Sequence, residues 1–256
     1  MRTTPQTVER AVTRDLAALA VLWLLCGCAG IPQGSSGNPG RSVPLGRSVE
    51  GRAIEAVVFQ GRPGAGCTLV LGGIHGNEPA SAALVQRLAE HMRDRPAQTT
   101  GRTVVLIPRA NPDGLAAGTR HNARGVDLNR NFRTRNFEPG ARRGQKALSE
   151  PESRAIAGAV ARWRPSCIVS VHGPLNGIDP DGGERSTRLA RRMAALSPLP
   201  YRDLRAMPGS LGTWGGVELG RKMITYELDR KKLPATGRGK YLQSHLAALL
   251  LAIREG

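Results

Sequence analysis

Residues 68–79 read Thr68-Leu69-Val70-Leu71-Gly72-Gly73-Ile74-His75-Gly76-Asn77-Glu78-Pro79. A short apolar run ending in Gly suits a buried parallel strand. Pro79 then opens a stretch in which Ala80, Ala83, Leu84 and Leu88 recur at helical spacing as far as Met92, and proline is at home in a helix's first turn. This strand-loop-helix unit repeats along the chain. Ile54–Gln60 alternates as a strand does, and Thr103–Pro108, Cys167–Val171 and Met223–Leu228 are further apolar runs of strand length. Helices are expected over Ser149–Arg162, which opens on the capping-box-like Ser-Glu-Pro-Glu, over Glu184–Leu196, over a short Leu211–Leu219 and over Lys240–Arg254. The expected fold class is α/β: a single domain with a mixed, mostly parallel twisted sheet and helices on both faces. Residues 109–148 show no period, and so long a polar loop in a compact domain is usually functional.

Ligands of open α/β sheets bind beyond the carboxyl ends of the strands. His75 and Glu78 follow the first quoted strand, His172 follows Cys167–Val171, and Glu227 ends Met223–Leu228. Two His and two Glu, far apart in sequence, therefore gather at one edge. His75, Glu78 and His172 form a His2Glu set, the pattern of a catalytic zinc with an open position for water. Zinc lowers the pKa of such a water to about 7, and Glu227 is the nearby carboxylate that can take its proton. The loop adds Arg120, Asn122, Arg124, Asn129 and Arg130, groups suited to polarising a carbonyl or capturing a carboxylate. His91, His121 and His245 read as ordinary helix or loop residues. His-Glu-x-x-His, Cys-x-x-Cys and Gly-x-Ser-x-Gly are absent, and Gly64-Ala-Gly66 precedes its strand rather than following it.

The chain has 256 residues with 40% hydrophobic content, enough for a proper core, and its 4 Cys exclude a disulfide-dense scaffold. Cys67 and Cys167 begin apolar runs, where a small buried thiol is the commoner use. The formal charge is +17, spread along the chain with only 4% aromatic residues. That distribution lacks the basic stripe and stacking aromatics of a nucleic-acid protein, so no nucleic-acid partner is expected. It fits an Arg-rich composition or attraction to anionic envelope material. Residues 1–28 read as a secretory signal: Arg2, Arg10 and Arg14, an apolar core Leu16–Leu25, then Cys26-Gly27-Cys28. The ending resembles a bacterial lipobox with Cys28 as the lipidated residue. Residues 29–46 read as a flexible Gly/Ser/Pro linker, and 47–256 as the catalytic domain. The expected location is the periplasmic side of a bacterial envelope, held through a lipid anchor.

Taken together, His75-Gly-Asn-Glu78, Asn111-Pro-Asp-Gly114, Arg120-x-Asn122, Gly125-Val-Asp-Leu-Asn-Arg-Asn-Phe132, Ser149-Glu-Pro-Glu152, Ser170-Val-His172 and Ile224-Thr-Tyr-Glu227 resemble the zinc carboxypeptidase family. Ser170–Leu175, Ile178–Asp181 and Pro208–Trp214 resemble its murein peptide amidase subgroup. The resemblance implies one zinc ion on His75, Glu78 and His172, and Glu227 as general base. It implies Arg120 for the oxyanion, and Asn129 and Arg130 for the substrate carboxylate. It also implies hydrolysis of the γ-D-glutamyl–diaminopimelate bond in peptidoglycan-derived peptides. Asp179 and Asp181 are expected to read the diaminopimelate amine, and Tyr201 or Trp214 to replace the Tyr that family members hold over the substrate. Two other functions fit parts of the pattern: an N-acyl amino acid deacylase of the succinylglutamate desuccinylase and aspartoacylase kind, and a non-catalytic wall-binding lipoprotein.

Overall fold

In the computed structural model, which describes residues 39–95, 98, 101–204, 207–229 and 239–256, the apolar runs become neighbours in one sheet. The strands are β1 (Arg41–Arg47), β2 (Ala53–Phe59), β3 (Cys67–Leu71), β4 (Thr103–Ile107), β5 (Cys167–His172), β6 (Leu175–Pro180) and β7 (Lys222–Asp229). They pair in the order β1-β2-β4-β3-β5-β7-β6. The four central strands β4, β3, β5 and β7 are parallel, while β1, β2 and β6 add antiparallel pairs at the margins. The mixed, mostly parallel sheet expected from the sequence is thus present. β3, β4 and β5 are buried at every position, which explains why they read as continuous apolar runs rather than alternating ones.

Among the described residues the helices are α1 (Pro79–Asp94), α2 (Pro112–Ala117), α3 (Pro151–Trp163), α4 (Glu184–Leu196) and α5 (Lys240–Glu255), of which α1, α3, α4 and α5 pack on the sheet. Successive strand residues face opposite sides. Val70 and Val169 accordingly pack with Leu88 of α1, Met193 of α4 and Leu249 of α5, while Leu69, Leu71 and Ile168 pack with Ile156 of α3. Each fully buried aliphatic side chain contributes about 1.5–3 kcal/mol of transfer free energy. Cys67 and Cys167 are both buried and free, and burial raises their thiol pKa values to about 11 and about 12.

Two margins depart from the sequence reading. The stretch assigned to a flexible linker, 29–46, contains most of β1. Val43 is buried and Leu45 half-buried among exposed neighbours, a period of two hidden by Pro44 and Gly46. An edge strand tolerates that proline because its outer side needs no ladder donor, and the register shifts between Pro44 and Gly46. The acidic stretch around Ile178–Asp181 is mostly β6, a second antiparallel edge. Residues 1–28, with Cys28, lie outside the described residues.

The long 109–148 segment is anchored rather than periodic. It contains α2 and a 3-10 turn at Leu128–Arg130, and it drives Leu128 and Phe132 into the α3-side core. The Asn131 side chain donates to the carbonyls of Arg143 (2.7 Å) and Lys146 (3.1 Å), tying the turn to the end of the segment.

Candidate active site

The parallel strands deliver their carboxyl ends to one edge. His75 lies in the loop leaving β3, Glu78 stands immediately before α1, and His172 ends β5 with Glu227 of β7 as its register partner. The loop can turn so tightly because it rests backbone to backbone on α2: a Cβ on Gly76 would lie 1.8 Å from the carbonyl carbon of Gly114. Asn111 locks this contact. Its Oδ1 accepts the Gly114 N–H (2.9 Å), and its Nδ2 donates to the Ile74 carbonyl (3.3 Å). Asp113 accepts from Ser48 Oγ (2.7 Å) and the Glu50 N–H (2.9 Å), fastening the turn after β1. Asn122 donates to Glu150 (2.8 Å) and Glu152 (3.1 Å). Several motif residues are therefore scaffold, not chemistry.

His75, Glu78 and His172 bring their donor atoms within 4.8 Å of one another. The two Nδ1 atoms are 3.3 Å apart, and Glu78 carboxylate oxygens lie 2.9 Å from His75 Nδ1 and 3.4 Å from His172 Nδ1. Bonds of about 2.0–2.1 Å to a tetrahedral ion put neighbouring donors about 3.3 Å apart, so the set fits zinc. The outward nitrogens are both engaged: His75 Nε2 meets Asp127 Oδ1 at 3.0 Å, and His172 Nε2 meets Ser170 Oγ at 2.8 Å. Such partners fix the ring orientation that a metal requires. The sequence reading gave Asp127 and Ser170 no role. Ser170 shares the strand face of His172 at i−2, a signal that was available. Asp127 carried none beyond its place in the motif.

Asp127 also receives Arg120 Nε at 2.9 Å, and an Arg120 Nη stands 3.6 Å from Glu78. Burial acts to raise the Asp127 pKa, but His75 and the nearby Arg120 and Arg130 charges hold it well below the usual carboxylate range. Burial likewise opposes Glu78, where the hydrogen bonds from His172 and His75 win and hold it at about 2. Glu227 is different: burial raises it, Glu78's charge adds to the rise, and a 3.3 Å bond from the Leu175 N–H only partly compensates.

Beside the triad opens a cavity of about 200 Å3 whose walls include Arg120, Asn129, Arg130, Asp179, Asp181 and Glu227. Arg120, Asn129, Arg130, Asp179 and Asp181, singled out by sequence for substrate contact, thus line one space. Asn129 is aimed by the Leu211 N–H, which its Oδ1 accepts at 2.9 Å. Asp179 accepts the Leu204 N–H at 2.8 Å, and burial raises its pKa to about 6. Asp181, paired with Asp179 in the sequence reading, accepts from Thr225 Oγ1 and is raised by burial to about 7. A second cavity, about 320 Å3, shares Glu78, Arg120, His172, Gly173 and Pro174 with the first and reaches Asn77–Ser81 and Leu228. Tyr201 and Trp214 do not line the first cavity: Trp214 stacks on Phe132, and Tyr201 lies under Arg191.

Comparison with known proteins agrees with this geometry. Residues 37–177 match the zinc carboxypeptidase family. Murein peptide amidase A of Vibrio campbellii is 33% identical over 204 residues, covering 73% of this chain and 77% of that protein. The Escherichia coli K12 protein of the same name is 36% identical over 165 residues, 57% of this chain and 64% of the relative, so the match spans less than two thirds of its length. Among solved structures, murein-tripeptide amidase MpaA from Escherichia coli O157 superposes with a TM-score of 0.66 at 26% identity, over 86% of this chain and 95% of that one. Carboxypeptidase A from Helicoverpa armigera shares the fold with a TM-score of 0.67 at 20% identity, over 84% and 67% of the two chains. On the matched sequence, the shared fold and the converging His-Glu-His set, this chain belongs to the zinc carboxypeptidase family.

Proposed function

We propose that the chain is a zinc-dependent metallocarboxypeptidase of the amidase kind, acting on the γ-D-glutamyl–diaminopimelate bond of murein peptides. The observation that carries the reading is one cavity in which a His-Glu-His donor set, a buried carboxylate and two guanidinium groups converge. Zinc in that set supplies a Lewis acid and a water activated near neutral pH. Glu227 takes a proton at its carboxylate and later returns it to the leaving amine; its burial beside the His-Glu-His set disfavours the charged form and so favours that uptake. Arg120, held by Asp127, presents its remaining N–H groups to the cavity where the oxyanion develops. Arg130 and Asn129 take the terminal carboxylate of the substrate. Asp179, with Asp181 beside it, takes the side-chain amine. Cys28 is the proposed lipid attachment point, placing the domain on the periplasmic side of a bacterial envelope.

The test is mass spectrometry of L-Ala-γ-D-Glu-diaminopimelate incubated with the zinc-loaded protein and with Glu227→Gln. Release of free diaminopimelate by the wild type alone supports the reading. Hydrolysis of acyl-amino acids in place of the tripeptide would move the protein to the deacylases. A soluble form for this assay must begin ahead of Arg41, because β1 belongs to the sheet. Asp179→Asn is expected to weaken discrimination against lysine-terminated peptides relative to diaminopimelate; unchanged discrimination removes Asp179 from the recognition site.

A further inference from the structure

The edge of the sheet opposite the cavity, where β3, β4, β5 and β7 begin, is crowded with cations. Arg185, Arg188 and Arg192 are exposed at i, i+3 and i+7 along α4, so they share one helix face. With Lys222 at the start of β7 and Glu255 at the end of α5 they border a shallow groove of about 230 Å3. The positive surface continues past the last residue: the Gly256 carbonyl accepts from Lys222 Nζ at 3.4 Å and from Arg102 at 2.6 Å. Arg62, ahead of β3, and Arg164, ahead of β5, extend it as exposed side chains. Glu255 pairs with Arg192 at 2.6 Å, and Glu184 faces Arg188 at 3.7 Å. By contrast, Glu78, Asp113, Asp127, Glu150, Glu152 and Glu227 all serve the catalytic edge and its supporting loops.

The chain enters the domain at this same cationic edge. β1 is antiparallel to β2, and β2 is antiparallel to β4. β1 therefore points the way the central strands point, and Arg41 lies where they start. Just ahead of it, the Pro39 carbonyl accepts from Arg93 Nε at 3.3 Å, near the end of α1. The sequence ahead of Pro39 carries the basic segment, the apolar core and Cys28.

We propose that the strand-start face, centred on Arg185, Arg188 and Arg192 of α4, docks on an anionic phospholipid bilayer, so that the catalytic cavity faces away from the membrane. The tether and the charge then act at one edge, and the bound domain presents its opening to peptides arriving from the aqueous side. The proposal uses no residue of the cavity, so it can fail while the catalytic reading holds, and the reverse.

The test is co-sedimentation of the full chain with vesicles of phosphatidylcholine alone and of phosphatidylcholine with phosphatidylglycerol. Any insertion of the N-terminal apolar segment occurs on both vesicles and cancels in the ratio of the two partition coefficients. A basic side chain near an anionic surface is worth about fivefold in partitioning. The wild-type ratio is expected to exceed about tenfold at about 0.1 M salt and to collapse at about 1 M, where screening shortens to about 3 Å. Arg185→Gln/Arg188→Gln/Arg192→Gln is expected to lose most of the ratio. The matched removal Arg47→Gln/Arg133→Gln/Arg135→Gln, on other surfaces, is expected to keep it. A wild-type ratio near one, or an equal loss in both triple variants, overturns the proposal; the second result would reduce the effect to net charge.

Discussion

Asp127 shows how much of the site is set by a residue with no chemistry of its own. It orients His75 through Nε2 and Arg120 through Nε, coupling one member of the His-Glu-His set to the proposed oxyanion donor. Loss of such an outer partner typically lowers metal affinity 10- to 100-fold. Asp127→Ala is therefore expected to weaken zinc by about that factor in a chelator competition, with Ser170→Ala, which frees only His172 Nε2, weakening it less. Equal affinity in Asp127→Ala and wild type would show that the ring needs no such support. The metal-site residues themselves were legible in the sequence because each follows an apolar run, and strand ends share an edge. Asp127 was not, because its contact to His75 spans 52 positions and depends on how an aperiodic loop folds back. Asp179 and Asp181 were legible as an acidic pair, and both line the cavity.

Elements were legible in proportion to their burial. The fully buried strands read as continuous apolar runs and the amphipathic helices carry one period, and their limits fall within a residue or two of expectation. The edges were harder, since β1 is interrupted by Pro44 and Gly46, and β6 follows a cis Gly173–Pro174 peptide with mixed polar residues. α1 and α5 hold the sheet from one side, and Leu88→Ala in α1 is expected to cost about 2–5 kcal/mol in chemical denaturation. α5 adds a pH dependence. Burial lowers the His245 pKa from 6.5 to about 4, and its Nδ1 meets Tyr226 Oη at 2.7 Å. The unfolded chain takes up this proton first, so the stability owed to neutral His245 is present above pH 6.5 and is lost as pH falls towards about 4. His245→Gln is expected to flatten the denaturation midpoint over that interval; an unchanged slope would assign the acid sensitivity to other groups.

At the scale of the whole molecule, the sheet separates two surfaces. Its carboxyl-end edge gathers the donor set, Glu227 and the cavity, and its opposite edge gathers α4's arginines and the entry of the chain. The fold class and the single sheet follow from alternating strands and helices, whereas the grouping of Arg185, Arg188 and Arg192 beside Lys222 could not be read from a sequence in which arginine is scattered throughout. The central claim is that His75, Glu78 and His172 hold a single zinc ion and that Glu227 moves the proton. The direct measurement is titration of zinc into metal-free protein while release of the C-terminal residue is followed, for wild type and Glu227→Gln in parallel. The account predicts that wild-type hydrolysis rises to a plateau at one equivalent while Glu227→Gln binds the same equivalent and stays inactive. Hydrolysis without zinc, or undiminished turnover by Glu227→Gln, would contradict it.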